Sequence, residues 1–198
     1  MKYIIPTFGT FNNSKDEKDT VKIIKNELNK MKPPHYGGPG ILICEGHISE
    51  STFGDLIILD TYKKYLKLKG WTKKLYPMLI VDFIVHEELH KTQNQKGLQK
   101  LVKMVKTGEL RNTFTLFKKY AKTEGEYFYT IAIHYYVCLF TYLWMKKNYG
   151  ETYDSIIDSV EDPYYKFDKF IRVHNEEILE IMYKIKMLPP DVENYVNF

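Results

Sequence analysis

Cysteine is scarce in this sequence. The two cysteines, Cys44 and Cys138, lie far apart inside apolar runs and form no CxxC pair. This spacing excludes a disulfide framework and a cysteine-rich zinc site, so we expect buried thiols in a reducing compartment. A secretory signal is also lacking, because the apolar stretch of MKYIIPTFGT is short and is broken by Pro6. We therefore expect a cytoplasmic protein.

An excess of one charge is missing as well. The 29 lysine and arginine residues are dispersed among 25 aspartate and glutamate residues, which gives a net charge of +4. A mild and evenly spread charge provides no concentrated basic surface for nucleic acid or for anionic lipid. The composition therefore predicts neither a nucleic-acid partner nor a membrane-surface partner.

Long hydrophobic runs are absent with one exception, residues 127–145, which contain no charged side chain. The run is just long enough to span a bilayer. However, His134, Tyr135 and Tyr136 lie at its middle, where a bilayer is driest, whereas membrane aromatics collect at the two edges. We expect a buried core helix, with a membrane-embedded protease as the alternative.

The rest of the composition is typical of a globular domain, with 44% hydrophobic and 27% charged residues. Its 198 residues fit one domain, so we expect residues 1–198 to form a single domain. Strand-like and helix-like periods alternate in the first half of the chain, and the second half is almost wholly helical. This pattern predicts an α+β fold, in which a small mixed N-terminal sheet of about three strands packs on a predominantly helical C-terminal part.

The predicted strands are residues 2–8, 41–44 and 56–59, and a predicted helix at 16–31 connects the first two. A linker rich in proline and glycine, residues 32–40, follows that helix. The segment EGHISESTFGD between the second and third strands is predicted to be an irregular loop. Further helices are predicted at residues 61–67, 76–93, 98–106, 112–121, 125–147 and 164–186.

The residues that carry chemistry lie in VDFIVHEELH, which contains the pattern HExxH. Four residues on a helix advance about 400°, so His86 and His90 project in nearly the same direction, as two ligands of one tetrahedral zinc require. Glu87 lies about 100° round from His86, where it can reach a water at the metal without binding the metal. Glu88 points away and is predicted to be solvated or structural. The alternative is that both histidines only make structural hydrogen bonds.

A catalytic zinc normally has three protein ligands and a water. The metzincin arrangement is excluded, because Gln93 and Lys96 occupy the positions of its glycine and third histidine. A later glutamate is the remaining common solution. Glu109 is one candidate, although a solvated loop residue is the simpler interpretation of it.

Two stronger candidates lie in KTEGEYFYTIAIHYY. Glu126 is preferred over Glu124, because Thr130 and His134 follow Glu126 at intervals of one turn and offer hydrogen-bond partners for a ligand carboxylate. The alternative is that Thr123 and Glu126 form a capping box, in which Glu126 reaches back to a backbone amide. In that case Glu124 takes the ligand role or the metal site fails.

These motifs resemble the gluzincins, the zinc metallopeptidase class that includes the thermolysin-like enzymes, and in particular the compact minigluzincins. The shared pattern is the strand LIILD, a helical connection, IVDFIVHEELH and a later glutamate on another helix, over roughly residues 55–136. The segment around Glu126 departs from the NExxxD form of thermolysin-like enzymes. The resemblance implies a zincin-like fold and Zn²⁺ held by His86, His90 and either Glu126 or Glu124.

The resemblance also implies hydrolysis of a peptide or protein substrate by a zinc-dependent endopeptidase, with Glu87 as the general base. His134 is the candidate catalytic donor to the oxyanion, and His47 and Tyr127 are alternatives. The other interpretation of His134 is a core histidine that makes a structural hydrogen bond. The family's substrate-holding edge strand would fall within residues 41–59. A function of a different class is a non-catalytic helical protein that keeps this fold and acts by binding or regulation.

Overall fold

The computed structural model describes residues 7–37, 40–45, 51–53, 56–69, 75–119, 121–159 and 163–196. These residues form the expected α+β fold, with a small sheet in the first part and helices in the rest. Contacts between Cα atoms divide the chain into two compact units, Met1–Lys91 and Thr92–Phe198, which we call the N-terminal unit and the C-terminal unit. The expectation of a single domain stays a prediction.

One mixed sheet organises the described part of the N-terminal unit. Its strands have the order β1-β2-β4-β3, and all pairs are parallel except β3 with β4. Because side chains alternate along a strand, β2 and β4 each bury two residues on the same face; these are Ile41, Ile43, Ile57 and Leu59. The strands are β1 (Phe8–Thr10), β2 (Gly40–Ile43), β3 (Ser51–Phe53) and β4 (Leu56–Leu59).

The mixed sheet and its helical crossover confirm the sequence prediction. The prediction of an irregular loop between β2 and β4 is wrong where β3 lies, since Ser51–Phe53 pair antiparallel with β4. Local pattern does not reveal so short a strand, because its pairing partner supplies its hydrogen bonds. Of the predicted strand at 2–8, residues 2–6 lie outside the described residues.

The described part of the N-terminal unit also contains three helices: α1 (Lys15–Met31), α2 (Tyr62–Lys69) and α3 (Leu75–Leu89). Helix α1 crosses from β1 to β2 and packs against both strands and against α3. Helix α3 is apolar around most of its circumference, which is the pattern of a buried helix. Its buried residues include Ile80, Val81, Ile84 and Val85. Helix α3 ends at Leu89, earlier than predicted, so His90 lies just beyond its last residue.

The fully buried carboxylate of Glu17 fixes the corner between β1 and α1. It accepts hydrogen bonds from the backbone N–H groups of Asn12 (3.0 Å), Ser14 (3.1 Å) and Glu45 (3.0 Å). Burial by itself raises the pKa of Glu17, but hydrogen bonds from Glu45, Asn12 and Ser14 outweigh burial and lower the pKa. One carboxylate therefore ties the end of β1, the start of α1 and the segment after β2.

The Glu17 carboxylate makes the stability of the protein depend on pH. Because its pKa is lower in the folded state, its contribution is complete above the ordinary value of 4.5 and is lost as pH falls through the lowered folded value. We expect Glu17→Gln to reduce the free energy of unfolding at pH 7 by about 2 kcal/mol. Unfolding measured from pH 7 to pH 3 should show this difference closing in acid. If the free energy of unfolding falls in parallel for the wild type and Glu17→Gln as pH is lowered, Glu17 does not cause this pH dependence.

The described part of the C-terminal unit is helical and is centred on α6. Helix α6 packs against α4, α5, α7, α8 and α9. The helices are α4 (Gln95–Thr107), α5 (Thr115–Lys118), α6 (Glu124–Tyr149), α7 (Glu151–Ser159), α8 (Pro163–Val173) and α9 (Asn175–Ile185), followed by a short 3₁₀ helix at Val192–Asn194.

Three differences from the predicted helices stand out in this unit. Helix α5 covers only Thr115–Lys118 of the predicted 112–121. The predicted helix at 164–186 is two helices, α8 and α9, which are interrupted at His174. Helix α7 was not predicted. Short helices that depend on packing carry a weak periodic signal, because their stability comes from tertiary contacts.

Helix α6 is long and apolar enough to cross a membrane by length and composition alone. However, 67% of its most apolar window is buried inside the structure. Tyr135 and Tyr136 at its middle are fully buried. This burial favours the expected core helix.

Candidate metal centre

The two histidines of the HExxH pattern converge at the end of α3. His86 lies in the last turn and is buried, and His90 lies immediately after the helix and is half-buried. Their Nε2 atoms are 3.3 Å apart, and their ring planes are inclined at 65°. One nitrogen of each ring therefore lies next to one nitrogen of the other.

This separation fits a zinc ion. Two Zn–N bonds of about 2.0–2.1 Å at a tetrahedral angle place their nitrogens about 3.3–3.4 Å apart. The contact also meets the geometry of a hydrogen bond between the two rings, so the alternative of structural hydrogen bonds is equally compatible with it. The observed 3.3 Å between the Nε2 atoms of His86 and His90 matches the separation of two ligands of one tetrahedral metal.

Glu87 follows His86 on the same turn and is half-buried. Burial raises the pKa of Glu87 to about 7, and the nearby positive charge of Lys91 opposes this rise. A carboxyl group with a pKa near neutrality can both accept and return a proton at physiological pH. A metal ion bound by His86 would lower this pKa again, so the general-base role of Glu87 stays a prediction.

Glu88 is structural rather than solvated. Its side chain is almost fully buried, with 1% exposed, and its two carboxylate oxygens contact the linker after α1. Oε1 lies 2.6 Å from Nδ1 of His35, and Oε2 accepts a hydrogen bond of 2.8 Å from the backbone N–H of Tyr36. The adjacent glutamates thus have separate surroundings, as the helical geometry predicts.

The first turn of α6 contains the predicted third ligands, and its geometry is that of a helix cap. Glu126 donates its backbone N–H to Oγ1 of Thr123, while Oε2 of Glu126 accepts from the backbone N–H groups of Lys122 (2.7 Å) and Thr123 (3.3 Å). The capping-box alternative is therefore confirmed. Glu124 is exposed in the same turn. Zinc binding by Glu126 or Glu124 stays a prediction.

His134 lies within α6, where its Nδ1 is 2.7 Å from the carbonyl oxygen of Thr130. Its ring stacks on Phe117 with centroids 4.8 Å apart. Burial lowers the pKa of His134, although the Thr130 carbonyl opposes this change, so the neutral ring is favoured. With its proton on Nδ1, the ring has an acceptor at Nε2. This tautomer suits a metal ligand better than the predicted oxyanion donor.

The other candidates have structural contacts or lie outside the described residues. The Tyr127 hydroxyl donates to the carbonyl oxygen of Asn112 at 2.6 Å and accepts from the backbone N–H of Phe114. Glu109 is exposed and accepts a hydrogen bond from the hydroxyl of Thr107. His47 lies outside the part of the chain that the structure describes.

No protein-family model matches the chain, and searches among curated proteins and solved structures also find no match. The gluzincin resemblance therefore stays a prediction. The HExxH pattern and the arrangement of His86 and His90 at the end of α3 are the features that indicate a function.

The convergent Nε2 atoms predict that zinc stabilises the folded protein. At a zinc concentration about 100-fold above its dissociation constant, binding adds about 2.7 kcal/mol to the free energy of unfolding. We expect thermal unfolding of the wild-type chain to shift upward with added zinc, and the shift to disappear in His86→Ala and in His90→Ala. His174→Ala is the matched control, because His174 is exposed and its described side-chain contacts are with Phe170 and Glu177. If His86→Ala and His90→Ala show the same zinc-dependent shift in unfolding temperature as His174→Ala, zinc binds elsewhere.

Proposed function

We propose that this chain is a zinc-dependent metalloendopeptidase in which His86 and His90 bind the metal. The observation that carries the proposal is the 3.3 Å separation of their Nε2 atoms. It is supported by the neighbouring Glu87, whose pKa burial raises to about 7. Together these residues supply the nitrogen ligands and the proton acceptor that metal-assisted hydrolysis of an amide requires.

When bound, zinc would act as a Lewis acid that activates water and polarises the scissile carbonyl. The role of Glu87 follows from its own position and surroundings. Its carboxylate accepts the proton of the attacking water and then delivers that proton to the nitrogen of the leaving amine. Glu87 lies about 100° round the helix from His86. It can therefore accept a proton from the reacting water while the two histidines bind the ion.

The proposed substrate is a peptide or protein bound in an extended conformation. Strand β3 is the antiparallel strand at one end of the described sheet order, within the region 41–59 that the resemblance assigns to substrate binding. An extended peptide can pair with a sheet edge through main-chain hydrogen bonds. The predicted cytoplasmic location and the predicted lack of nucleic-acid and membrane partners remain predictions.

Replacing the general base should separate catalysis from metal binding. We expect Glu87→Gln to retain zinc and to lower kcat/KM for peptide cleavage by at least about 100-fold, the lower limit of a general acid–base contribution. Cleavage is measured with a quenched fluorescent peptide library, and zinc content by elemental analysis. Glu177→Gln, an exposed change on α9, is the control and should leave both quantities unchanged.

Three outcomes contradict the proposal. A wild-type protein that binds no zinc is not a zinc metallopeptidase. If the wild type and Glu87→Gln both bind zinc and neither cleaves peptide, the protein belongs to the non-catalytic binding class, which is indifferent to this substitution. If both cleave peptide equally well, Glu87 is not the general base.

The third ligand predicted on α6 needs its own test, because Glu126 also caps the helix. We expect Glu126→Ala and Thr123→Ala each to lower the free energy of unfolding by about 1 kcal/mol through loss of the cap. Weaker zinc binding in Glu126→Ala but not in Thr123→Ala identifies Glu126 as a ligand. Zinc titration of Glu124→Ala and His134→Ala tests the other two side chains. If none of these variants binds zinc more weakly, the prediction of a ligand on α6 is wrong.

A further inference from the structure

A buried contact joins the HExxH helix to the linker after α1. We call it the clasp: the carboxylate of Glu88, Nδ1 of His35 and the backbone N–H of Tyr36. The two contact distances are 2.6 Å and 2.8 Å, and within the described linker each carboxylate oxygen makes one of these contacts. Only 17% of the His35 side chain is exposed. Burying a carboxylate without hydrogen-bond partners costs free energy, so the contacts with His35 and Tyr36 stabilise Glu88 in its buried position.

The clasp holds α3 from the side opposite the candidate metal ligands. Glu88 lies two positions after His86 and two positions before His90. Two residues correspond to about 200° of helical rotation, so the Glu88 side chain projects away from both histidines. A restraint on Glu88 therefore restrains the rotation of the last turn about its axis, and with it the direction in which the two imidazoles point.

Such a restraint matters most at the end of a helix. His90 lies immediately beyond the last residue of α3, where the last carbonyl groups of the helix lack regular helical partners. The backbone there closes instead through the N–H of Lys91, which donates to the carbonyl oxygen of Glu88 at 3.0 Å. Glu88 thus anchors the turn that contains His90 with its carbonyl group, while its carboxylate is fixed by the linker.

The other side of the clasp is also restrained. The linker begins at Lys32, which ends α1 in a left-handed conformation, and it leads to the start of β2 at Gly40. Helix α1 itself packs against α3. The clasp therefore connects the last turn of α3 to the linker between α1 and β2, and both of these elements are themselves packed in the fold.

We propose that Glu88 and His35 are positioning residues for the metal centre: the clasp holds the last turn of α3 so that the Nε2 atoms of His86 and His90 remain at ligand separation. The inference rests on the proposed function, since it takes these histidines as the metal site. Neither Glu88 nor His35 binds the metal in this scheme. They act through the orientation of the helix.

The test measures zinc affinity of the full-length chain, after removal of metal, by competition with a chromophoric chelator. We expect Glu88→Gln and His35→Ala to weaken zinc binding by about tenfold. This is the smallest effect of losing a direct hydrogen-bond partner of a metal ligand, and the clasp acts on the ligands only through the helix. His35→Asn should recover much of the affinity, because the asparagine amide nitrogen lies near the position of Nδ1. His35→Gln should recover less, since its amide nitrogen lies nearer the position of Nε2.

Glu17→Gln is the matched control. Glu17 is the other buried glutamate of the N-terminal unit that accepts backbone N–H groups, and it does not lie on α3. This control should lower the stability of the fold but leave zinc affinity within about twofold of the wild type. As a second readout, the visible absorption of bound Co²⁺ should change in Glu88→Gln and in His35→Ala, and not in Glu17→Gln.

The outcomes distinguish this inference from the proposed function. If the wild-type chain binds no zinc, the proposed function is wrong and the inference falls with it. If the wild type binds zinc and the clasp variants bind it equally well, or weaken only as much as Glu17→Gln, the clasp has a general structural role and the inference alone is wrong. If Glu88→Gln does not fold, the comparison of His35→Ala with His35→Asn decides the question.

Discussion

The buried helix α3 is the constraint on which the candidate site depends. Its helical period brings His86 and His90 to one face, and burial on nearly every side prevents the helix from turning that face elsewhere. A surface helix with the same pattern would present two solvated histidines with freely rotating rings. Here the rings lie with Nε2 atoms 3.3 Å apart, a separation that matches two ligands on one tetrahedral ion.

Two buried carboxylates fix the connecting segments of the N-terminal unit. The described strands are only three or four residues long, so the sheet supplies few hydrogen bonds to hold the connecting segments. Glu17 and Glu88 compensate by accepting backbone N–H groups from segments that are irregular in themselves. Each carboxylate joins chain segments that are distant in sequence. Its hydrogen bonds are directional, so they fix the orientation of those segments more closely than apolar contacts would.

The sequence predicted the elements with a strong internal period and missed those that depend on distant partners. Helix α3 and its histidines follow from the apolar run and from the HExxH spacing, and the capping box of Glu126 follows from the sequence TEGE. The clasp could not be predicted, because His35 and Glu88 are 53 positions apart and neither carries a local signal for the other. Strand β3 was missed for the same reason, since β4 supplies its pairing.

The tautomer of His134 changes the chemistry that the sequence suggested for it. A ring that donates from Nδ1 to the carbonyl oxygen of Thr130, and that burial keeps neutral, has no proton on Nε2 to offer an oxyanion. The hydroxyl proton of Tyr127 is likewise engaged, by the carbonyl oxygen of Asn112. Both described candidates therefore use their protons within the fold. His47 lies outside the described residues and stays a predicted donor. Backbone N–H groups, which stabilise oxyanions at many acyl-transfer sites, are the other class of donor open to the proposed hydrolase.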